Sequence, residues 1–304
     1  MKSKSRIRVL QVIARMNIGG PAVLVADLVR GFDSQKVDSI LVTGFCDINE
    51  SDYLDEVATD VVAIRLPGLG RSISPLKDLN AFFLLLKEIR KFKPDIIHTH
   101  TAKAGVLGRL AGLIAAPRAK RVHTFHGHLL HGYFGSFKRS LVIGAECFLA
   151  FFTSQLLAVG DKVRQDLLEA GIGSKSKFGL MPPGLKIDQL PAQEHSQELL
   201  GLTLGTLQCS FIGRVTKIKR PDRFLDVVSE VKKRGLKIEF FMAGDGELIE
   251  ECRKRVHLES LPVKIVGWQT NMELVYLDQD KCAEFQAYFL ETYGIHLFPS
   301  MTRD

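Results

Sequence analysis

Residues 6–32 read RIRVLQVIARMNIGGPAVLVADLVRGF, and this stretch decides the fold. Ile7–Ala14 is an apolar run of the kind found in parallel strands buried on both faces. Gly19-Gly20-Pro21 breaks the run, and Pro21 opens a helix to about Phe32 from the favoured first-turn position. The same rhythm continues outward. Val37–Thr43 and Val61–Arg65 read as strands, and Pro75–Phe92 as a long amphipathic helix. Strand Asp95–Thr99, small-residue helix Lys103–Ala115, strand Lys120–Phe125 and helix Phe137–Phe152 follow, then strand Gln155–Val159, helix Lys162–Ala170 and strand Lys177–Met181. Strands alternating with helices imply a parallel sheet covered on both faces.

Met181-Pro182-Pro183-Gly184 is rigid and non-helical, as a hinge between domains would be. The pattern then restarts with strand Leu207–Ile212, helix Pro221–Arg234, strand Lys237–Ala243, helix Glu247–His257 and strand Val263–Val266. The expected architecture is α/β with two Rossmann-like lobes: residues 1–183, and a second lobe over 184–304 with only three or four clear strands. A chain of 304 residues suits two such domains.

Net charge is +7 and the pI about 9.1, which asks for an anionic partner. Nine Lys and Arg lie between Lys91 and Ser140 against the single acid Asp95, and six of the nine histidines share that window. Nucleotide phosphates, anionic lipid and nucleic acid are all candidates, as is a plain solvated basic face. The five cysteines are odd in number and widely spaced, which argues against a disulfide framework or structural zinc and for a reducing, cytoplasmic setting. The basic N-terminus before an apolar run echoes a signal peptide, but the run is short and reads better as a first strand. No stretch reaches the ~18 apolar residues of a membrane span. Phe134–Phe152 reads as a buried helix with a basic start, or as one lying on a membrane surface, with Glu146 interrupting its apolar run.

Five strand ends carry chemistry. Gly19 and Gly20 would let backbone amides approach an anion at a helix N-terminus, although any tight strand-to-helix turn also calls for glycine. The three-glycine dinucleotide fingerprint is absent, which counts against an NAD-dependent oxidoreductase. His98-Thr99-His100 ends one strand and His123-Thr124-Phe125-His126-Gly127-His128 the next. Period-two spacing puts His98 and His100 on one face. A metal site lacks the usual ligand spacing, so a polar rim around an anionic substrate is the better reading. Gly213-Arg214-Val215-Thr216-Lys217-Ile218-Lys219-Arg220-Pro221 places four cations and a glycine between a strand and a helix, a strong diphosphate signal. Ala243-Gly244-Asp245-Gly246-Glu247 closes the next strand as a tight turn with acids at a helix start.

Together these segments resemble glycosyltransferase family four, of the GT-B fold. FIGRVTKIKRPDRFLDVV, FFMAGDGEL and VKIVGWQTNMELVY are similar to its donor-lobe signature. VLQVIARMNIGGPAVLVADL, DIIHTHTAKAGVLGRLAG, VHTFHGH and LMPPGLKID are similar to its opening strand, its histidine-bearing strand ends and its interdomain crossover. The resemblance spans residues 6–276. It implies a sugar transferase acting with retention of configuration, with no cofactor or metal required and a UDP-sugar as the expected donor. A glycan or lipid-linked acceptor of the cell envelope would be its second substrate. It implies no nucleic-acid partner, and a cytoplasmic protein with peripheral contact to the inner face of the membrane as an option.

Residue by residue, the resemblance implies Gly19 and Gly20 near the diphosphate and acceptor, and His126 beside the transferred sugar. His100 and His128 would shape the acceptor side. Arg214 and Lys219, with Gly213, Gly244 and Gly246 around them, would hold the donor diphosphate, and Trp268 would lie near the base. Residues 1–183 would be the acceptor-side domain and 184–304 a partial nucleotide-sugar domain. The family's paired glutamates do not follow Tyr276 at the expected place, so the donor site is expected to be incomplete, the chain a poor transferase, and Phe240, Phe241 and Ile265 less protected. A non-catalytic glycan- or partner-binding remnant and a nucleotide-sugar epimerase of the same fold are the alternatives. Asp278-Gln279-Asp280 imitates a metal-binding acid pair but follows no strand.

Overall fold

The computed structural model describes residues 6–48, 50–127, 136–184, 203 and 207–268, with the side chains of 136–139 left aside. The chain divides into two compact units, Met1–Leu185 and Lys186–Asp304. Both are Rossmann-like α/β structures.

In the first unit β1 (Ile7–Ile13), β2 (Val37–Thr43), β3 (Ala63–Arg65), β4 (Ile96–His100), β5 (Lys120–Phe125), β6 (Gln155–Ala158) and β7 (Phe178–Leu180) form one sheet. Its order is β3-β2-β1-β4-β5-β6-β7, with every pairing parallel. The order reverses at β1, which has β2 on one side and β4 on the other. In open α/β sheets this reversal opens a crevice at the strands' C-terminal ends, where ligands bind.

Successive residues of β1 serve opposite faces. Leu10, Val12 and Ala14 pack with Leu85 and Ile89 of α3 (Pro75–Phe92) and with Ala104 and Ala111 of α4 (Ala102–Ala115). Ile13 packs with Ala22, Val25 and Ala26 of α1 (Gly20–Gly31), and with Tyr53 and Leu54 of the short α2 (Tyr53–Glu56). The small-residue character of α4 has a packing cause. A Cβ on Gly108 would stand 2.7 Å from Thr99 Cγ2, and one on Gly105 2.5 Å from His123 Cε1, so the helix lies hard against β4 and β5. Beyond it, Phe125, Leu156 and Ala158 pack with Ala150 of α5 (Ser136–Phe151) and with Val163 and Leu167 of α6 (Asp161–Glu169).

Several cations of the basic Lys91–Ser140 window are used inside the unit. Arg109 is 1% exposed and is paired with Glu146. Lys103 pairs with Asp78. Arg121 donates to the carbonyls of Phe152, Pro117 and Ala119 at 2.7, 3.3 and 3.0 Å. The charge density of that window is therefore in part structural.

The second unit has β8 (Leu207–Ile212), β9 (Ile238–Ala243) and β10 (Val263–Gly267), parallel in the order β10-β9-β8, with α7 (Pro221–Lys233) and α8 (Ile249–Leu258). Pro221 opens α7, and Leu225, Val228 and Val231 form its buried stripe. They meet Phe240, Met242, Cys252 and Leu261. One expectation is corrected here. Phe240 and Phe241 are 2% and 0% exposed, and Ile265 is partly buried against the same core. Residues expected to be poorly protected are thus core residues.

Cys46, Cys147 and Cys252 are free thiols. Among the described residues no helix is long and apolar enough to cross a membrane. His128, Asp278-Gln279-Asp280 and the glutamate-motif region after Tyr276 lie outside the described residues.

Candidate active site

The first unit gathers its polar groups at the reversal point. Parallel pairing of β1 with β4 sets Gln11 opposite His98 and Ile13 opposite His100. Pairing of β4 with β5 sets His98 opposite Val122, Thr99 opposite His123 and His100 opposite Thr124. The register therefore splits the histidines between the two faces of the sheet. Gln11, His98, His100 and Thr124 share one face, and Thr99 shares the other with His123.

On the first face a hydrogen-bonded chain runs from the sheet interior to its edge. His100 Nε2 lies 2.8 Å from Gln11 Oε1, and His100 Nδ1 lies 2.9 Å from His126 Nε2. His98 Nε2 lies 2.7 Å from Thr124 Oγ1, and the His98 and His100 rings stand 4.1 Å apart between centroids. On the second face His123 Nδ1 lies 2.9 Å from Thr99 Oγ1. Gln11 and His100 are fully buried, whereas His126 is partly open.

Burial makes these rings neutral. It brings His98 down to about 3, with His126 adding to the shift, and His126 down to about 4. His100 and His123 are held well below the ordinary imidazole value, first by burial and then by their charged or chargeable neighbours. A neutral ring gives one donor and one acceptor, so the cluster is a set of directed hydrogen bonds rather than of positive charges. Among the described residues no group of three His, Cys, Asp or Glu is placed to hold a metal ion. The hydrogen bonds that these rings make go to Gln11, to threonines and to each other.

Thr101, directly after His100, has φ 63 and ψ 159, a region occupied almost only by glycine. Its side chain and its backbone are both held: Ala14 N–H donates to Thr101 Oγ1 at 3.3 Å, and Gly105 N–H donates to the Thr101 carbonyl at 2.8 Å. This fixes the end of β4 against the end of β1.

Gly19 caps α1, and its carbonyl accepts from the Ala22 and Val23 N–H groups at 3.0 and 3.2 Å. Its backbone is extended, at φ 160 and ψ 169, and Gly20 is already helical. A Cβ on Gly20 would meet nothing within 4 Å, and one on Gly19 only Asn17 O at 3.9 Å. The turn itself does not demand glycine at either position. What the two glycines do is leave the N-terminus of α1 bare.

In the second unit Arg214 sits on a clamped loop. Gly213 N–H donates to Ala243 O and Val215 N–H to Asp245 O, each at 2.9 Å. Gly244 has φ +143, and a Cβ there would lie 1.9 Å from Gly213 O; one on Gly246 would lie 2.6 Å from Val215 O. The glycines of the second strand end are what allow the two loops to touch. Of the four cations, Arg220 is bound to Asp222 at 2.6 Å. Arg214, Lys217 and Lys219 are exposed and form no ion pair among the described residues. Trp268, just past β10, is 42% exposed.

The family profile described as "Glycosyltransferase Family 4" matches residues 18–189, more than half of the chain. The chain belongs to Glycosyltransferase Family 4. This family 4 chain is 27% identical over 231 residues to the UDP-Gal:alpha-D-GlcNAc-diphosphoundecaprenol alpha-1,3-galactosyltransferase of Escherichia coli, covering 73% of this chain and 59% of that one. It is 21% identical over 188 residues to the capsular polysaccharide biosynthesis glycosyltransferase CapM of Staphylococcus aureus, covering 59% of this chain and 48% of that one. The chain thus spans less than two thirds of the length of these relatives. Among solved structures, Anabaena HepE in complex with UDP and glucose superimposes with a TM-score of 0.68 at 16% identity, over 89% of this chain and 72% of that one. That likeness concerns the fold.

Sequence reasoning found Gly19, Gly20, His100, His126, Gly213, Arg214, Lys219, Gly244, Gly246 and Trp268 as candidates. The first four lie at the strand ends around the reversal point, and the other six at the strand ends of the second unit. It missed Gln11, Thr101 and the Arg109–Glu146 pair. The signal for Gln11 was available: an amide in the middle of an otherwise apolar strand has to find a buried partner.

Proposed function

We propose that the protein transfers a hexose from a UDP-sugar to a lipid-linked saccharide in cell-envelope polysaccharide assembly, with retention of configuration. The observation that carries this reading is the clamped loop bearing Arg214, with Lys217 and Lys219 beside it. Three exposed cations with no ion-pair partner among the described residues stand at the C-terminal end of a parallel strand, next to the N-terminus of α7. Such a group suits a diphosphate, whose charge grows as it leaves the sugar. Fixed cations can supply the stabilisation that a divalent ion supplies elsewhere, so the proposal assigns that role to Arg214 and Lys219 and requires no metal.

In this reading Gly19 and Gly20 keep the α1 N-terminus free for an anionic group of donor or acceptor, and His126 hydrogen-bonds the transferred sugar. Residues 1–183 serve the acceptor and the following lobe the donor. The membrane face, where a lipid-linked acceptor resides, is the place of action. Family membership and the names of the two relatives support the reaction class, and the name of the Escherichia coli relative supports the lipid-linked acceptor.

The test is a calorimetric titration with UDP, UMP and uridine. The proposal predicts that UDP binds at least about tenfold more tightly than UMP, since one more phosphate meets the cations. Equal affinities for all three would remove the diphosphate from the account.

A further inference from the structure

The first unit holds a buried polar chain that runs from Gln11 in β1 through His100 at the end of β4 to His126 after β5. Gln11 is fully buried in the middle of β1, and its amide oxygen faces His100 Nε2 at 2.8 Å. His100, fully buried, passes the contact on through Nδ1 to His126 Nε2 at 2.9 Å. His126 is only partly buried, and its Nδ1 makes no hydrogen bond among the described residues.

Each link has a direction. An amide oxygen only accepts, so His100 Nε2 must carry the proton. A neutral His100 then has a bare Nδ1, which accepts from a protonated His126 Nε2. A neutral His126 is left with an unprotonated Nδ1 at the open end of the chain. Burial keeps all the rings neutral, so neither histidine can satisfy the chain by taking a second proton.

We propose that Gln11 is a positioning residue that acts through His100 to hold His126 in one tautomer, with Nε2 protonated and Nδ1 bare, so that His126 accepts a hydrogen bond from a hydroxyl group of the bound sugar. This rests on the glycosyltransferase reading for the identity of the sugar, but not for the tautomer. The proton order is a property of the free protein. The design resembles the use of a second group to fix which nitrogen of a histidine does its work. It also accounts for a buried amide placed where β1 would otherwise be apolar.

The decisive experiment reads the ring nitrogens by 15N NMR in the unliganded protein, wild type and Gln11→Met. Methionine keeps the length and volume of the side chain and removes the acceptor. In the wild type, His126 Nδ1 should give the shift of an unprotonated nitrogen and Nε2 that of a protonated one. In Gln11→Met the two His126 nitrogens should move toward averaged values, as the two tautomers become comparable. A protonated Nδ1 in the wild type, which is what a reversed Gln11 amide would produce, overturns the proposal. So does a His126 pattern unchanged by Gln11→Met.

Kinetics supply the second readout. Gln11→Met should lower kcat for sugar transfer about tenfold while leaving the affinity for UDP unchanged. Parallel losses in kcat and UDP affinity would overturn the positioning role. Absence of any transfer by the wild type, with the NMR result as expected, would instead count against the transferase reading alone.

Discussion

Arg109 of α4 donates from one guanidinium nitrogen to both carboxylate oxygens of Glu146 on α5, at 2.8 and 2.7 Å, with their side chains 1% and 2% exposed. The same guanidinium donates through Nε to the Gly105 carbonyl at 2.7 Å, close to where α4 presses on His123. Burial weakens the hold of Arg109 on its proton, and Glu146 opposes that effect.

Breaking this pair from one side should be severe. Arg109→Met or Glu146→Leu alone leaves an uncompensated buried charge and should cost about 3–5 kcal/mol. The double variant removes both charges and should recover most of the loss. Urea denaturation of the four proteins measures this. Additive losses would show that the two residues do not act as a pair.

The buried histidines make stability depend on pH with a definite sign. In the unfolded chain they take up protons near the ordinary value of about 6.5, but in the fold His98 does so only near 3 and His126 only near 4. The unfolded state binds more protons between those limits. Stability is therefore full above about pH 6.5 and falls as the pH drops toward the folded values. Each such histidine contributes up to ~1.4 kcal/mol per pH unit in that window. In His98→Gln the slope of unfolding free energy against pH, taken between about pH 6 and about pH 5, should fall by close to one proton. An unchanged slope would mean that His98 titrates alike in both states.

Gly244→Ala should damage the second unit. The position combines φ +143 with a Cβ only 1.9 Å from Gly213 O, so the two loops must separate. A loss of stability above about 2 kcal/mol is expected, and with it a weakened hold on UDP, because the loop carrying Arg214 loses its clamp. Alanine at Gly20, where nothing lies within 4 Å, should leave stability nearly unchanged. Thermal unfolding of the two variants gives the comparison, and similar losses in both would contradict the loop geometry.

How much of this was legible in the sequence depended on the range of the interaction. The strand-and-helix rhythm from Ile7 to Leu180 was readable because a doubly covered strand needs an unbroken apolar run and each crossover needs a helix. The strand ends carrying His100, His126, Arg214 and Gly244 were readable for the same reason. The role of Gln11 was not, because it depends on the register that sets β1 against β4. Arg109 and Glu146 are 37 residues apart on different helices, and local periodicity records only that Glu146 interrupts an apolar stretch. Gly19 and Gly20 had two readings from sequence. The extended φ at one and the empty space around the other remove the turn requirement. Phe240 and Phe241 were misjudged because their burial depends on how neighbouring elements close over β9.

The four cations after β8 are not equivalent. Arg220 is occupied by Asp222, whereas Arg214 and Lys219 have no ion-pair partner among the described residues. Arg214→Ala and Lys219→Ala should each weaken UDP binding by about 1.5–3 kcal/mol, or roughly tenfold to a hundredfold. Arg220→Ala should change it little. Calorimetry ranks the three, and a loss confined to Arg220→Ala would reverse the assignment.

The most direct test of the central claim follows the acceptor. The protein is incubated with a panel of UDP-hexoses and a diphosphopolyprenol-linked saccharide, with a chelator present, and the lipid products are read by mass spectrometry and NMR. The account predicts that one donor adds a single hexose to the acceptor with its anomeric configuration retained. It also predicts that UDP release depends on the acceptor, and that His126→Ala slows transfer more than it weakens UDP binding. An acceptor left unchanged while the UDP-sugar is converted to its epimer would contradict it.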